Sequence, residues 1–153
     1  MEADVRELDV DTLAEAAVLA REIDKEEAVY QTGKLIKDAL WDAYRMSSSS
    51  YAGRLDGELV CVWGVCATAP MEGLGAPWLV ATPKLEDAAV PFLRRCWYYL
   101  NKMKSDYDML FNIVYAENTT AIQWLTWMGF EMNEAQLYGP MSKPFIPFYW
   151  RRQ

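Results

Sequence analysis

The chain has 153 residues, 52% of them hydrophobic, with 15 Lys plus Arg against 22 Asp plus Glu and a net charge of -7. That size suits a single domain over residues 1–153 that buries about 68 to 70% of its unfolded surface, and the acidic balance repels a long phosphate backbone, so no nucleic-acid partner is expected. Histidine is absent, which removes a His base, His-assisted nucleophiles and His-ligated metal, and leaves proton transfer to Asp, Glu, Tyr, Cys, Lys or water.

The acidic start Met1-Glu2-Ala3-Asp4 does not read as a signal peptide, and no apolar run is long enough to span a bilayer. Val5 to Leu8 reads as a first strand, followed by Asp9 or Asp11 as an N-cap and an Ala-rich helix through Leu13, Ala17 and Ala20. Apolar positions from Ala28 through Leu35, Ile36, Leu40 and Ala43 recur at helical spacing and predict a second helix, ended by the connector Ser47-Ser48-Ser49-Ser50. The period then becomes that of strands: Tyr51 to Leu55 and Glu58 to Thr68 flank Asp56-Gly57, a pair that suits a type I′ hairpin.

Cys61 and Cys66, five apart in that strand, should face opposite sides, and with Cys96 they read as buried reduced thiols in a reducing compartment rather than as a metal site. A turn from Pro70 to Pro77 leads to a short strand Trp78 to Thr82, and a helix is expected from about Asp87 to Lys104 with Pro91 in its first turn. Met109 to Tyr115 is a near-continuous apolar strand, covered on both faces. After it come a helix capped by Asn118 and two last strands, Phe130 to Tyr138 and Pro144 to Trp150, the second confined to a sheet edge by its two prolines.

The run Asn118-Thr119-Thr120-Ala121, followed by Trp124, Leu125 and the close Gly129-Phe130, resembles the C-terminal helix motif of the Gcn5-related N-acetyltransferase (GNAT) fold. The resemblance implies an α/β (α+β) architecture, a mixed sheet of about six to seven strands flanked by about four helices in the order β-α-α-β-β-β-α-β-α-β-β. With Tyr107 to Tyr115 and Pro144-Phe145 it looks most like the small GNAT-like internal virion or core proteins of short-tailed podophages. That likeness implies a place in the host cytoplasm or the phage particle, not a secreted protein.

In the GNAT fold acetyl-CoA lies in a notch where the fourth strand splays from the fifth, with its pyrophosphate on a glycine-rich loop at the next helix N-terminus. Here the corresponding segment, Ala81 to Pro91, has no glycine and places Glu86 and Asp87 at the phosphate position. Thr82, Lys84 and Asn118 are the weak candidates for cofactor contact, and Arg94 and Arg95 are further cations that could swing toward a phosphate. Leu125 stands where many GNAT enzymes carry the Tyr that protonates the leaving thiolate. Glu117 and Tyr115 are the candidate catalytic residues if there is chemistry.

These departures favour a non-catalytic GNAT-like virion, assembly or interaction protein that uses no cofactor and meets phage or host proteins through Phe145, Phe148 and Trp150. Two alternatives stay open: an acetyl-CoA-dependent N-acetyltransferase acting on an amine, and a phage inhibitor of a host factor. An open notch favours the enzyme, and a notch filled by Trp78, Trp124 or Trp127 favours the scaffold.

Overall fold

Two long antiparallel strands are joined by Asp56-Gly57, with Asp56 at φ 51° and Gly57 at φ 83°, the two positive values a type I′ hairpin needs. The computed structural model describes residues 2–68, 73–88 and 90–153, with Val90 and Pro91 described by backbone alone. In chain order the elements are β1 (Ala3–Glu7), α1 (Val10–Leu19), α2 (Glu22–Thr32), α3 (Ile36–Met46), β2 (Ser47–Leu55), β3 (Glu58–Ala67) and β4 (Leu74–Ala81). A 3-10 helix (Pro83–Asp87) follows, then α4 (Val90–Asp106), β5 (Met109–Tyr115), α5 (Thr119–Trp127), β6 (Glu131–Met132), β7 (Gln136–Tyr138) and β8 (Lys143–Arg151).

The strands run β1-β2-β3-β4-β5-β8-β6 across one sheet, with β7 also paired to β8. Only β4 and β5 are parallel; the other neighbours are antiparallel. Helices α1 to α3 cover one face, through a core of Leu13, Ala16, Ile36, Leu40, Ala52 and Val62. Helices α4 and α5 cover the other, over Trp63, Phe92, Cys96, Leu110, Phe130 and Phe148. Alternation puts Cys61 against Cys96 on the second face and Cys66 near Ser47 and Ala43 on the first, all three thiols free. Among the described residues no helix is long and apolar enough to cross a membrane.

The expected second helix is two helices. Gly33, at φ 76°, closes α2 in the left-handed conformation and its N–H bonds the Val29 carbonyl, so the apolar period resumes in α3 with a new axis. The serine run is not a connector but the start of β2. Its hydroxyls are occupied locally, Ser47 donating to Ala43 C=O at 2.6 Å and Ser48 bonding the Tyr107 hydroxyl at 2.7 Å, and the register shifts between Ser47 and Ser49. β4 begins at Leu74, so Pro77 belongs to the strand; the expected turn from Pro70 otherwise falls largely on residues outside those described. The α4 helix starts later than Asp87, because Pro83–Asp87 forms its own 3-10 turn capped by Thr82. Phe130 to Tyr138 divides into the short β6 and β7.

The last strand is not an edge. β8 lies between β5 on one side and β6 and β7 on the other. Pro144 and Pro147 are tolerated because each falls beyond the ladder on the side its nitrogen faces: Pro144 C=O accepts from Ala116 N–H just past β5, and Pro147 C=O from Asn133 N–H just past β6. Phe145 and Phe148 are therefore buried, at 1% and 4% exposure, and Trp150 keeps partial exposure at the rim.

Candidate functional site: the notch between β4 and β5

The parallel β4–β5 ladder is short, pairing only Leu74 with Met109 and Gly75 with Leu110. Alternation explains why it stops. Met109 N–H bonds Gly73 C=O at 3.0 Å, so odd-numbered residues of each strand face the gap, and the next donor from β4 would be residue 77. Pro77 has no N–H. The following rung, Ile113 N–H to Pro77 C=O, is replaced by the Asn112 amide: its Oδ1 accepts from Ile113 N–H at 2.8 Å and its Nδ2 donates to Pro77 C=O at 2.8 Å. One side chain thus satisfies both strands while holding them a side chain's width apart.

Beyond this wedge the Leu79 N–H and the Ile113 C=O, which would form the next rung, face an open gap. The far end is closed by carboxylates of α2. Asp24 Oδ2 accepts from Ala81 N–H at 2.9 Å, and Glu27 Oε1 accepts from Tyr115 N–H at 2.7 Å. The gap opens into a cavity of about 290 Å³ lined by residues from both faces of the sheet. Ala28, Ile36, Leu40, Trp78 and Val80 wall it on the α2–α3 side, and Cys96, Leu100, Trp124, Leu125 and Met128 on the α4–α5 side.

The cavity is not plugged by tryptophan. Trp78 lies along the wall, its Nε1 donating to Ser47 Oγ at 2.8 Å, across Gly64, where a Cβ would come within 2.9 Å of that indole nitrogen. Trp124 packs on Phe92, and Trp127 is half exposed against Trp97.

A buried polar cluster fixes the carboxylates. Arg21 holds Asp24 in a bidentate pair at 2.9 and 3.0 Å and also donates to Asn118 Oδ1 at 3.2 Å. Asn118 Nδ2 donates to Asp24 at 3.2 Å and reaches Glu27 at 3.5 Å, while its Oδ1 caps α5 through Ala121 N–H. Every oxygen of Asp24 is committed. Glu27 is different: burial pushes its carboxyl up to about 7, the Asp24 charge adds to the rise, and the bonds from Tyr115 N–H and Asn118 and the Arg21 charge oppose it. A carboxyl at that value exchanges a proton near neutrality.

Of the catalytic and cofactor-contact residues expected from sequence, Asn118 alone is among the described residues that line this cavity; Phe148, expected to meet a partner, lines it too. Tyr115 and Glu117 bond each other through the phenol and carboxylate past the end of β5, outside the cavity lining, and that bond, with burial, pushes the tyrosine up to about 12. Thr82 is buried, its hydroxyl donating to Leu59 C=O at 2.7 Å while capping the 3-10 helix. Lys84 is engaged by Glu58 at 2.5 Å. Glu86 and Asp87 lie in the 3-10 turn rather than in the first turn of α4, and Ala89 is outside the described residues. Sequence reasoning missed Glu27, Asp24, Arg21 and the wedge role of Asn112. The one available signal for the wedge was a proline inside an apolar strand facing an asparagine inside another.

No protein-family model matches the chain, and neither does any curated protein sequence. Solved structures do match in shape. A GNAT-family acetyltransferase from Streptococcus pneumoniae superposes with a TM-score of 0.66 at 13% identity, covering 99% of this chain and 100% of that one. A ribosomal-protein-alanine N-acetyltransferase from Brucella melitensis gives 0.69 at 12%, covering 97% and 99%. Spermidine N-acetyltransferase from Vibrio cholerae, solved with CoA and spermine, gives 0.66 at 13%, covering 98% and 95%. Over almost its whole length, this chain has the GNAT acetyltransferase fold.

Proposed function

We propose that this protein is an acyl-CoA-dependent N-acyltransferase that acetylates a primary amine. The observation that carries the reading is the open notch: Pro77 and Asn112 end the β4–β5 ladder, and the gap beyond them exposes Leu79 N–H to a cavity that runs through the sheet to Glu27. Neighbouring folds crystallised with CoA support a thioester as the other reactant.

The residues present fit one end of that donor better than the other. Leu79 offers an unpaired edge, and Leu100, Leu125 and Met128 offer apolar walls, to an extended thioester arm. At the diphosphate end the described residues offer a 3-10 turn carrying Glu86 and Asp87, Lys84 in a solvent-accessible pair with Glu58, and the exposed cations Arg94 and Arg95 in α4. Acetyl-CoA supplies an activated acyl carbon. Glu27 takes the proton that an ammonium must lose before its nitrogen can attack, directly or through one water, and Arg21, Asp24 and Asn118 hold α2 and the start of α5 in place around it. Leu79 N–H is the donor available to a carbonyl oxygen that gains charge. Leu125 provides no acid, so the thiolate leaves unassisted and takes up the second proton, which the attacking nitrogen sheds as the tetrahedral adduct collapses to the amide.

The test is release of free thiol from acetyl-CoA in the presence of primary amines. Glu27→Gln, which keeps an acceptor for Tyr115 N–H, should lower kcat/KM by about 10²- to 10⁴-fold and remove the limb of the pH profile near 7. Unchanged turnover in that variant would remove Glu27 from the chemistry.

A second reading has its own support. Glu86 and Asp87 at the diphosphate position, and Lys84 paired with Glu58, favour a GNAT-fold protein without cofactor; its role would then be one of interaction, as in assembly of a phage particle or inhibition of a host factor. Such a protein would bind no acetyl-CoA and would keep its fold in Glu27→Gln.

A further inference from the structure

Resting on the acyltransferase reading, we infer that the acceptor is a small monoamine on a compact apolar body, of the arylalkylamine kind, rather than a polyamine or an amino sugar. Three features of the cavity lead there. On the α2–α3 side its walls are mainly Ala28, Ile36, Ala39, Leu40, Trp78 and Val80, with Gln31 and Thr32 as uncharged polar members and, among the described residues, no cation. Such a surface gains from burying a ring or branched chain and offers few partners to a multiply hydroxylated or multiply charged body, much of whose water would be lost unpaired.

The charge available in the cavity is single. Among the described lining residues the acidic groups are Asp24 and Glu27, and both oxygens of Asp24 are taken by Arg21, Asn118 and Ala81 N–H. Glu27 therefore faces one ammonium and leaves no counter-charge for a second.

The size agrees: an apolar cavity of about 150 Å³ suffices for benzene, and the 290 Å³ here accommodates one ring-sized body together with the end of a thioester arm.

The experiment measures 2-phenylethylamine, spermidine and an Ala-terminated peptide as ligands by calorimetry at pH 8, and as substrates by thiol release from acetyl-CoA. The expectation is that 2-phenylethylamine binds at least about tenfold more tightly than spermidine and is the preferred substrate. Ala39→Trp, on the partly exposed wall, should weaken its binding by about tenfold or more with melting temperature unchanged, and Ala28→Phe serves the same purpose if that variant does not fold. Spermidine or the peptide bound or turned over as well as 2-phenylethylamine, or insensitivity to both filling variants, overturns the inference and leaves the acyltransferase reading standing. Amine binding with no consumption of acetyl-CoA supports the ligand class and removes the acyltransferase reading.

Discussion

Glu27 carries the sharpest consequence at the scale of single residues. Its carboxyl is raised in the folded protein from the ordinary value near 4.5 to about 7, chiefly by burial. The folded state therefore favours the protonated form, and the stability that form contributes is fully present below about pH 4.5 and lost as pH rises through about 7. Glu27→Gln carries no charge to desolvate and should flatten that dependence. It should match the native protein near pH 5 and exceed it at pH 8, by up to about 3 kcal/mol if the whole shift is expressed. Urea titrations of both proteins at the two pH values check this, and equal pH dependence would mean that Glu27 ionises freely in water. Asn118 was legible from sequence as an N-cap, because capping depends on local spacing. Its second set of bonds, to Arg21, Asp24 and Glu27, was not, since those residues are 91 to 97 positions away and nothing local marks them. Tyr115 and Glu117 drew notice through their place at a strand end, and the fold turns their side chains away from the cavity toward each other.

At the scale of elements, the notch is a consequence of two residues. Pro77 withholds a donor and Asn112 substitutes for a rung, so the splay is written into β4 and β5 rather than imposed by a ligand. Replacing both, Pro77→Val with Asn112→Val, should let the strands continue pairing toward Leu79 and Ile113. Each regained rung is worth about 1 kcal/mol, so the double variant should melt no lower than the native protein while losing acetyl-CoA binding. A variant that is less stable and still binds would show that the splay has another origin. The strand and helix types of β3, β5, α4 and α5 follow from periodicity alone. Where expectation failed, a local rule met a tertiary arrangement: Gly33 divides one apolar period between α2 and α3, the serines of β2 satisfy a bulge, and the prolines of β8 sit where its neighbours have already ended. The hydrophobic pattern cannot report a partner strand's length, and that length decided whether β8 could be central.

For the whole molecule, the GNAT fold was readable from the capped α5 helix and the Gly129-Phe130 close, and nearly full-length superposition on acetyltransferases agrees. The state of the cofactor site was not readable in the same way. Absence of glycine between Ala81 and Pro91 argued against a donor, whereas the strands that would hold the thioester arm remain open. On this account recognition rests chiefly on the arm, because at the diphosphate Glu86 and Asp87 oppose what Arg94 and Arg95 offer and the net charge of -7 adds nothing favourable. Calorimetric titration of the purified protein with acetyl-CoA at low salt, beside S-acetylpantetheine, is the direct measurement. The account predicts saturable binding of both, with affinities within about tenfold of each other. No heat from either at millimolar concentration would contradict it and leave a GNAT-fold scaffold that holds no acyl donor.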